Sequence, residues 1–193
     1  RQRMSFSNRI GDIIRDLPVI DFMDPYYKVK QIVVPDVKYD VNFASVSTVD
    51  RCTSCHLGID NPDYIEAEQP YKTHPDLDLY LTEASPHPME QFGCTGCHSG
   101  RSRGTTFNSA VHMPNSMDSK HDWEEDYDWE KMHHWLKPMF PLKYTEASCF
   151  KCHIEKPDIQ GGEKLQLGLT IIDKAGCNSC HQIESYPKQF DTG

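Results

Sequence analysis

Four short stretches of this 193-residue chain carry one five-residue pattern: cysteine, two variable residues, cysteine, histidine. They are Cys52/Cys55/His56, Cys94/Cys97/His98, Cys149/Cys152/His153 and Cys177/Cys180/His181, and together they use all eight cysteines. Residues at i and i+3 share one side of a helical turn. Two thiols so placed can form thioethers with the two vinyl groups of one porphyrin. The next residue then offers its imidazole to the iron as axial ligand. The intervening residues need no particular chemistry, and here they vary: Thr-Ser, Thr-Gly, Phe-Lys and Asn-Ser. The pattern therefore predicts four covalently attached haem c groups, with His56, His98, His153 and His181 as proximal iron ligands.

Other uses of paired cysteines fit less well. A four-cysteine zinc site would join two CxxC pairs, but the intervals are long for a zinc ribbon and the four histidines would have no role. A disulfide framework places no demand on histidine either. A thioredoxin-like dithiol occurs once per domain, not four times.

Six histidines remain beyond the motifs. Neutral imidazole binds haem iron well, so these are the natural sixth ligands. His112 in "SAVHMP", His87 in "SPHP" and His74 in "KTHPDLDLYL" lead, each beside or near a proline that limits the entropy lost on fixing it. His133 and His134 are further candidates. His121, between Lys120 and Asp122, reads as a bystander. Met113, Met117 or Met139 could replace one imidazole and raise that haem's potential. No methionine follows Met139, so the sequence does not set the sixth ligand of the haem at His181.

The elements that must hold these residues read as short. Residues 1–50, with no cysteine or histidine, read as an extended haem-free arm with one short strand at Lys30–Val34. Residues 51–160 form a trihaem region. In "RCTSCHLG" and "GCTGCHSG" a glycine two residues after the histidine lets the chain turn away from the haem face. Asp122 and Glu125 read as a capping box opening a helix over 123–136. In residues 161–193, Leu165, Leu169 and Ile172 mark an amphipathic helix leading into the fourth motif. The predicted fold is mainly loops with short α-helices wrapped around four covalently bound haems, with little or no β-sheet.

Lys and Arg number 20 against 29 Asp and Glu, a formal net charge of -9. That balance disfavours nucleic acid, which needs basic patches. No run of about 18 apolar residues and no signal peptide stands out. The sequence begins at Arg1, which leaves room for an upstream signal or membrane anchor.

The stretches "VDRCTSCHLGID", "THPDLDLYL", "SPHPMEQFGCTGCHSG", "MHHW", "EASCFKCH" and "GCNSCHQI" resemble bacterial multihaem c-type cytochromes. They are most similar to periplasmic cytochrome subunits of membrane respiratory complexes, in which a multihaem part precedes a monohaem-like domain. The segment from residue 161 looks like the opening of such a domain. The resemblance implies a location in the periplasm or outside the cell, redox proteins or neighbouring cytochrome subunits as partners, and electron transfer rather than catalysis. Two alternatives stand beside it. One is a homopolymeric extracellular cytochrome filament. The other is a reductase of a small nitrogen or sulfur compound, should the fourth haem have an open coordination site.

Overall fold

The computed structural model describes residues 29–41, 44–135, 137–156, 158–183 and 186. Valine, isoleucine and threonine suit a pleated, half-buried surface. They build an antiparallel pair of strands, β1 (Ile32–Val41) and β2 (Ala44–Asp50), in register from Ile32 opposite Asp50 to Val41 opposite Ala44. The register shifts between Val34 and Lys38. Pro35 falls in that interval, and a bulge removes the need for the ladder hydrogen bond that proline cannot donate. This pairing corrects the expected arm with one short strand at Lys30–Val34. Much of residues 29–50 is sheet, because Val34 is buried against the turn at Gly93 while Val33 faces outward. The remainder of the predicted arm, residues 1–28, lies outside the described residues. A second, two-residue pairing is parallel: β3 (Tyr80–Leu81) beside β4 (His87–Pro88), with Tyr80 opposite His87.

The helices are short, as the many turn residues predict. They are α1 (Met89–Phe92), α2 (Thr95–His98), α3 (Met117–Tyr127) and α4 (Glu163–Ala175). α3 corrects the expected helix over 123–136. Its capping box is made by Ser116 and Ser119, each side chain bonding the other's backbone N–H. Asp122 and Glu125 lie inside the helix, where Glu125 meets His121. α3 ends at Asp128, which is left-handed with φ 49°, and the Trp129 N–H closes back onto the Trp123 carbonyl. The early stop lets Trp129 bury its indole and donate to the His112 carbonyl at 2.9 Å. α4 occupies the predicted amphipathic segment: Leu165, Leu169 and Ile172 are half-buried, and Gly176, at φ 67°, ends it one residue before Cys177.

Few apolar side chains are packed away by protein alone. Among the described residues only Val34, Val111, Trp129 and Tyr186 are buried hydrophobics, while Leu57, Ile65, Leu142, Leu167 and Ile171 are exposed. Among the described residues no helix is long and apolar enough to cross a membrane.

Candidate haem site

All four motifs fold into the same single turn. The histidine N–H bonds the carbonyl of the first cysteine at 3.0 Å in His56 and His98 and at 2.9 Å in His153 and His181. That i to i+4 closure sets the two sulfurs on one side and throws the imidazole out beyond them. Short 3₁₀ turns carry the first, third and fourth motifs, and α2 carries the second. All eight cysteines are free thiols, which removes the disulfide framework.

The two cysteines of a pair differ in setting. Cys52, Cys94, Cys97, Cys149 and Cys177 are half-buried, whereas Cys55, Cys152 and Cys180 are exposed. Cys55, Cys152 and Cys180 are left open by the protein itself. The cause is local. Each of these three cysteines caps the C-terminal end of a 3₁₀ turn, where the chain leaves the packed side. Cys97, the second cysteine of the other motif, lies within α2 and against Cys149 of the third motif. An open sulfur suits thioether formation, since the bond is made at a porphyrin edge that must reach it.

Three motif histidines each face a histidine from elsewhere in the chain. The ring centres are 6.2 Å apart in His56–His112, 6.1 Å in His98–His74 and 6.1 Å in His153–His87. A metal–imidazole bond is about 2.0–2.1 Å and the ring centre lies about 1.1 Å behind the nitrogen, so two rings trans on one iron would stand about 6.2–6.4 Å apart. The three separations lie close to that requirement, at distances that edge-to-face and tilted aromatic pairs also adopt.

The non-motif member of each pair is oriented the same way. Nδ1 of His112 lies 2.8 Å from the Phe107 carbonyl, and Nδ1 of His87 lies 3.1 Å from the Leu79 carbonyl. Nδ1 of His74 lies 2.5 Å from the carbonyl of Pro75. A carbonyl can only accept, so each Nδ1 carries the proton and Nε2 keeps its lone pair for a metal. Burial favours the neutral form of His98, His56 and His112. It depresses His98 to about 4, with His74 and His56 adding to the effect. It also lowers His56 and His112, against the opposing carbonyls of Pro70 and Phe107. A neutral imidazole is the form that ligates iron.

Aromatic packing fixes these rings. Phe107 stacks flat on His112, with centres 4.4 Å apart and planes at 6°, and Trp123 and Tyr127 of α3 close on Phe107 at 5.0 and 4.8 Å. α3 thus serves as a wall behind His112. Asn108 clamps its end, donating to the Asp128 carbonyl at 2.7 Å. Val111, beside His112, holds φ 64°. That conformation is costly for a β-branched residue and is kept by the bonds on either side of it, Val111 N–H to Asn108 and Met139 N–H to Val111. Tyr80 stands between two of the pairs, 5.4 Å from His74 and 5.5 Å from His87. The β3–β4 pairing puts it there.

The two glycines that follow the first two motif histidines serve different ends. A Cβ on Gly58 would lie 2.2 Å from the Tyr71 carbonyl, so this glycine permits the close return of the loop that carries His74. Gly100 instead takes φ +90°, the turning role predicted for both.

The motifs are also tied to one another. Asp50, the last residue of β2, is fully buried. One carboxylate oxygen accepts from Cys52 N–H at 3.1 Å. The other accepts from Cys94 N–H at 2.9 Å, Thr95 N–H at 3.0 Å and the Thr95 hydroxyl at 3.3 Å. Ligand atoms of Asp50, Cys52 and Cys94 lie within 4.8 Å of one another. A metal there would have to displace the N–H donors that fill the carboxylate, and the cluster draws on two motifs rather than completing a four-cysteine site. Hydrogen bonding with Cys94, and then burial, push the Cys52 thiol far up. Burial, and then Cys149, push up the Cys97 thiol. Lys151 Nζ reaches the Gly96 carbonyl at 3.4 Å, linking the third motif to the second. The first, second and third motifs are therefore neighbours in chain order.

Other candidates are not brought together. His133 and His134 sit in an exposed turn beyond α3, and His181 is exposed as well. Among the described residues no histidine ring faces any of these three. Met117 is exposed. Sequence reasoning missed Phe107, Tyr80 and Asp50. Their partners are 2 to 45 residues away, and no spacing pattern in the sequence links them.

Four identical turns with free paired thiols and outward imidazoles, three of them facing a second imidazole at iron-bridging distance, fit covalently held haem. These are the features of a c-type cytochrome, an electron-transfer class that carries haem c. Residues 93–182, just under half the chain, match the family described as cytochrome c554 and c-prime. That stretch contains the second, third and fourth motifs and His112. No curated protein and no solved structure matches the chain.

Proposed function

We propose that the chain binds four haem c groups and passes electrons between redox proteins outside the cytoplasm, as a subunit of a respiratory electron-transfer complex. Cys52/Cys55, Cys94/Cys97, Cys149/Cys152 and Cys177/Cys180 hold the haems, and His56, His98, His153 and His181 are proximal ligands. His112, His74 and His87 are the distal ligands of the first three. The observation that carries this reading is the set of three histidine pairs at 6.1–6.2 Å. Bound haem supplies the one-electron Fe(III)/Fe(II) couple. His56 with His112, His98 with His74 and His153 with His87 would each hold one haem iron between two imidazoles, which would leave no position for a substrate there. They also set the attachment cysteines side by side, Cys52 with Cys94 and Cys97 near Cys149, so that electrons have short steps between sites. The net charge of -9 suits a basic redox partner.

His181, which no histidine faces among the described residues, is where a reductase activity would have to reside. Cyanide added to the oxidised holoprotein tests this. We expect three haems to keep their low-spin optical and EPR signatures unchanged. Cyanide or nitrite binding at two or more haems would sink the electron-carrier reading.

A further inference from the structure

The strongest unexplained feature is a fully buried carboxylate between two haem-attachment motifs. We propose that Asp50 is a positioning residue and fixed negative charge that lowers the reduction potentials of the haems at His56 and His98 together. The inference rests on the haem-binding reading above and goes beyond it.

The need for Asp50 begins with the motif. Cys94 occupies the position that caps α2. A cap normally offers a side-chain oxygen to the first N–H groups of the helix. A cysteine committed to a thioether cannot do so. Asp50 supplies the oxygen from 44 residues away in sequence, taking Cys94 and Thr95 N–H on one oxygen and Cys52 N–H on the other. A single side chain thereby fixes the spacing of the first and second attachment turns.

The charge follows from the hydrogen bonds. All four partners of Asp50 donate, the pattern that an ionised carboxylate satisfies best. The group is therefore an acceptor-only anion. Neutral donors hold it, and no ion pair among the described residues involves it. A buried anion without a counter-cation casts a strong local field, since little water screens it. Its charge reaches His98, where it works against the effect of burial. One of its oxygens lies within 4.8 Å of the sulfurs of Cys52 and Cys94, which would be bonded to the porphyrin edges. Ferric haem carries one more positive charge than ferrous haem, so this field favours the oxidised state at both sites.

The test is Asp50→Asn in the full holoprotein. Asparagine can place its oxygen where three donors converge and loses only the bond from Cys52 N–H, so most of the positioning survives while the charge is gone. Haem content by mass is read first. If wild-type protein carries no haem, the functional reading itself fails. With haem content intact, we expect two haems to become easier to reduce by about tenfold in equilibrium constant, about 59 mV for a one-electron couple. The others should move far less. Equal or negligible shifts at all haems would overturn the proposal. Should Asp50→Asn fail to load haem, Thr95→Val decides. It keeps the charge but removes the hydroxyl that partly neutralises it, so the same two potentials should fall. If they stay fixed or rise, the proposal is wrong.

Discussion

His112→Ala should leave the haem content unchanged and convert one low-spin haem, and only one, to a high-spin, ligand-accessible state. The ring lies 6.2 Å from His56, and among the described residues no other imidazole is placed to replace it. Phe107 and Trp123, which flank it, cannot ligate iron. Loss of one strong-field ligand should raise that haem's reduction equilibrium constant by at least about tenfold, about 59 mV for one electron. His112→Met should give a smaller rise while keeping the low-spin state, because thioether ligation favours the ferrous iron. Low-temperature EPR and an optical redox titration read both effects. The same exchange at His74 or His87 should each affect a different single haem, and exchange at the exposed His133 or His134 should affect none. A silent His112→Ala would break the ligand assignment.

The chain made without haem attachment, either in cells lacking the maturation system or with all eight cysteines replaced, should show no cooperative thermal transition. Ordering each residue costs roughly 1–2 kcal/mol of backbone entropy, which burial of apolar surface must offset. Four buried hydrophobic side chains among the described residues fall far short of that. The side chains that should complete a core, such as Leu57 and Leu142, lie exposed beside the motifs, where a porphyrin face would cover them. Near-UV circular dichroism on heating checks this. A sharp melt in the haem-free chain would mean that the polypeptide carries its own core.

The chemistry legible in the sequence was the chemistry that is local. Cys-x-x-Cys-His needs one helical turn, so residue order alone specifies the site, and the structure closes all four turns alike. How far protein covers each sulfur was not legible, because the exposure of Cys55, Cys152 and Cys180 depends on what packs against each turn. The prolines beside His74 and His87 and near His112 marked stiff segments, and those three rings meet motif histidines. Their pairing was hidden: His112 returns to the first motif, His74 serves the second and His87 the third. Loop closures over such distances leave no periodic signal. The helix over 123–136 was misjudged because Trp129 prefers burial against the His112 loop to another helical turn. Residues 29–50 were read as part of an arm with one short strand at Lys30–Val34, because valines alternating with polar residues describe a strand without naming its partner. Asp50 was invisible for the same reason, since its role appears only where two distant turns meet.

Intact mass spectrometry of the denatured holoprotein tests the central claim most directly. The expected mass is the 22.2 kDa polypeptide plus four haem masses, retained through unfolding because each would be held by thioethers. A bare polypeptide, or one that sheds its cofactor on denaturation, would contradict it.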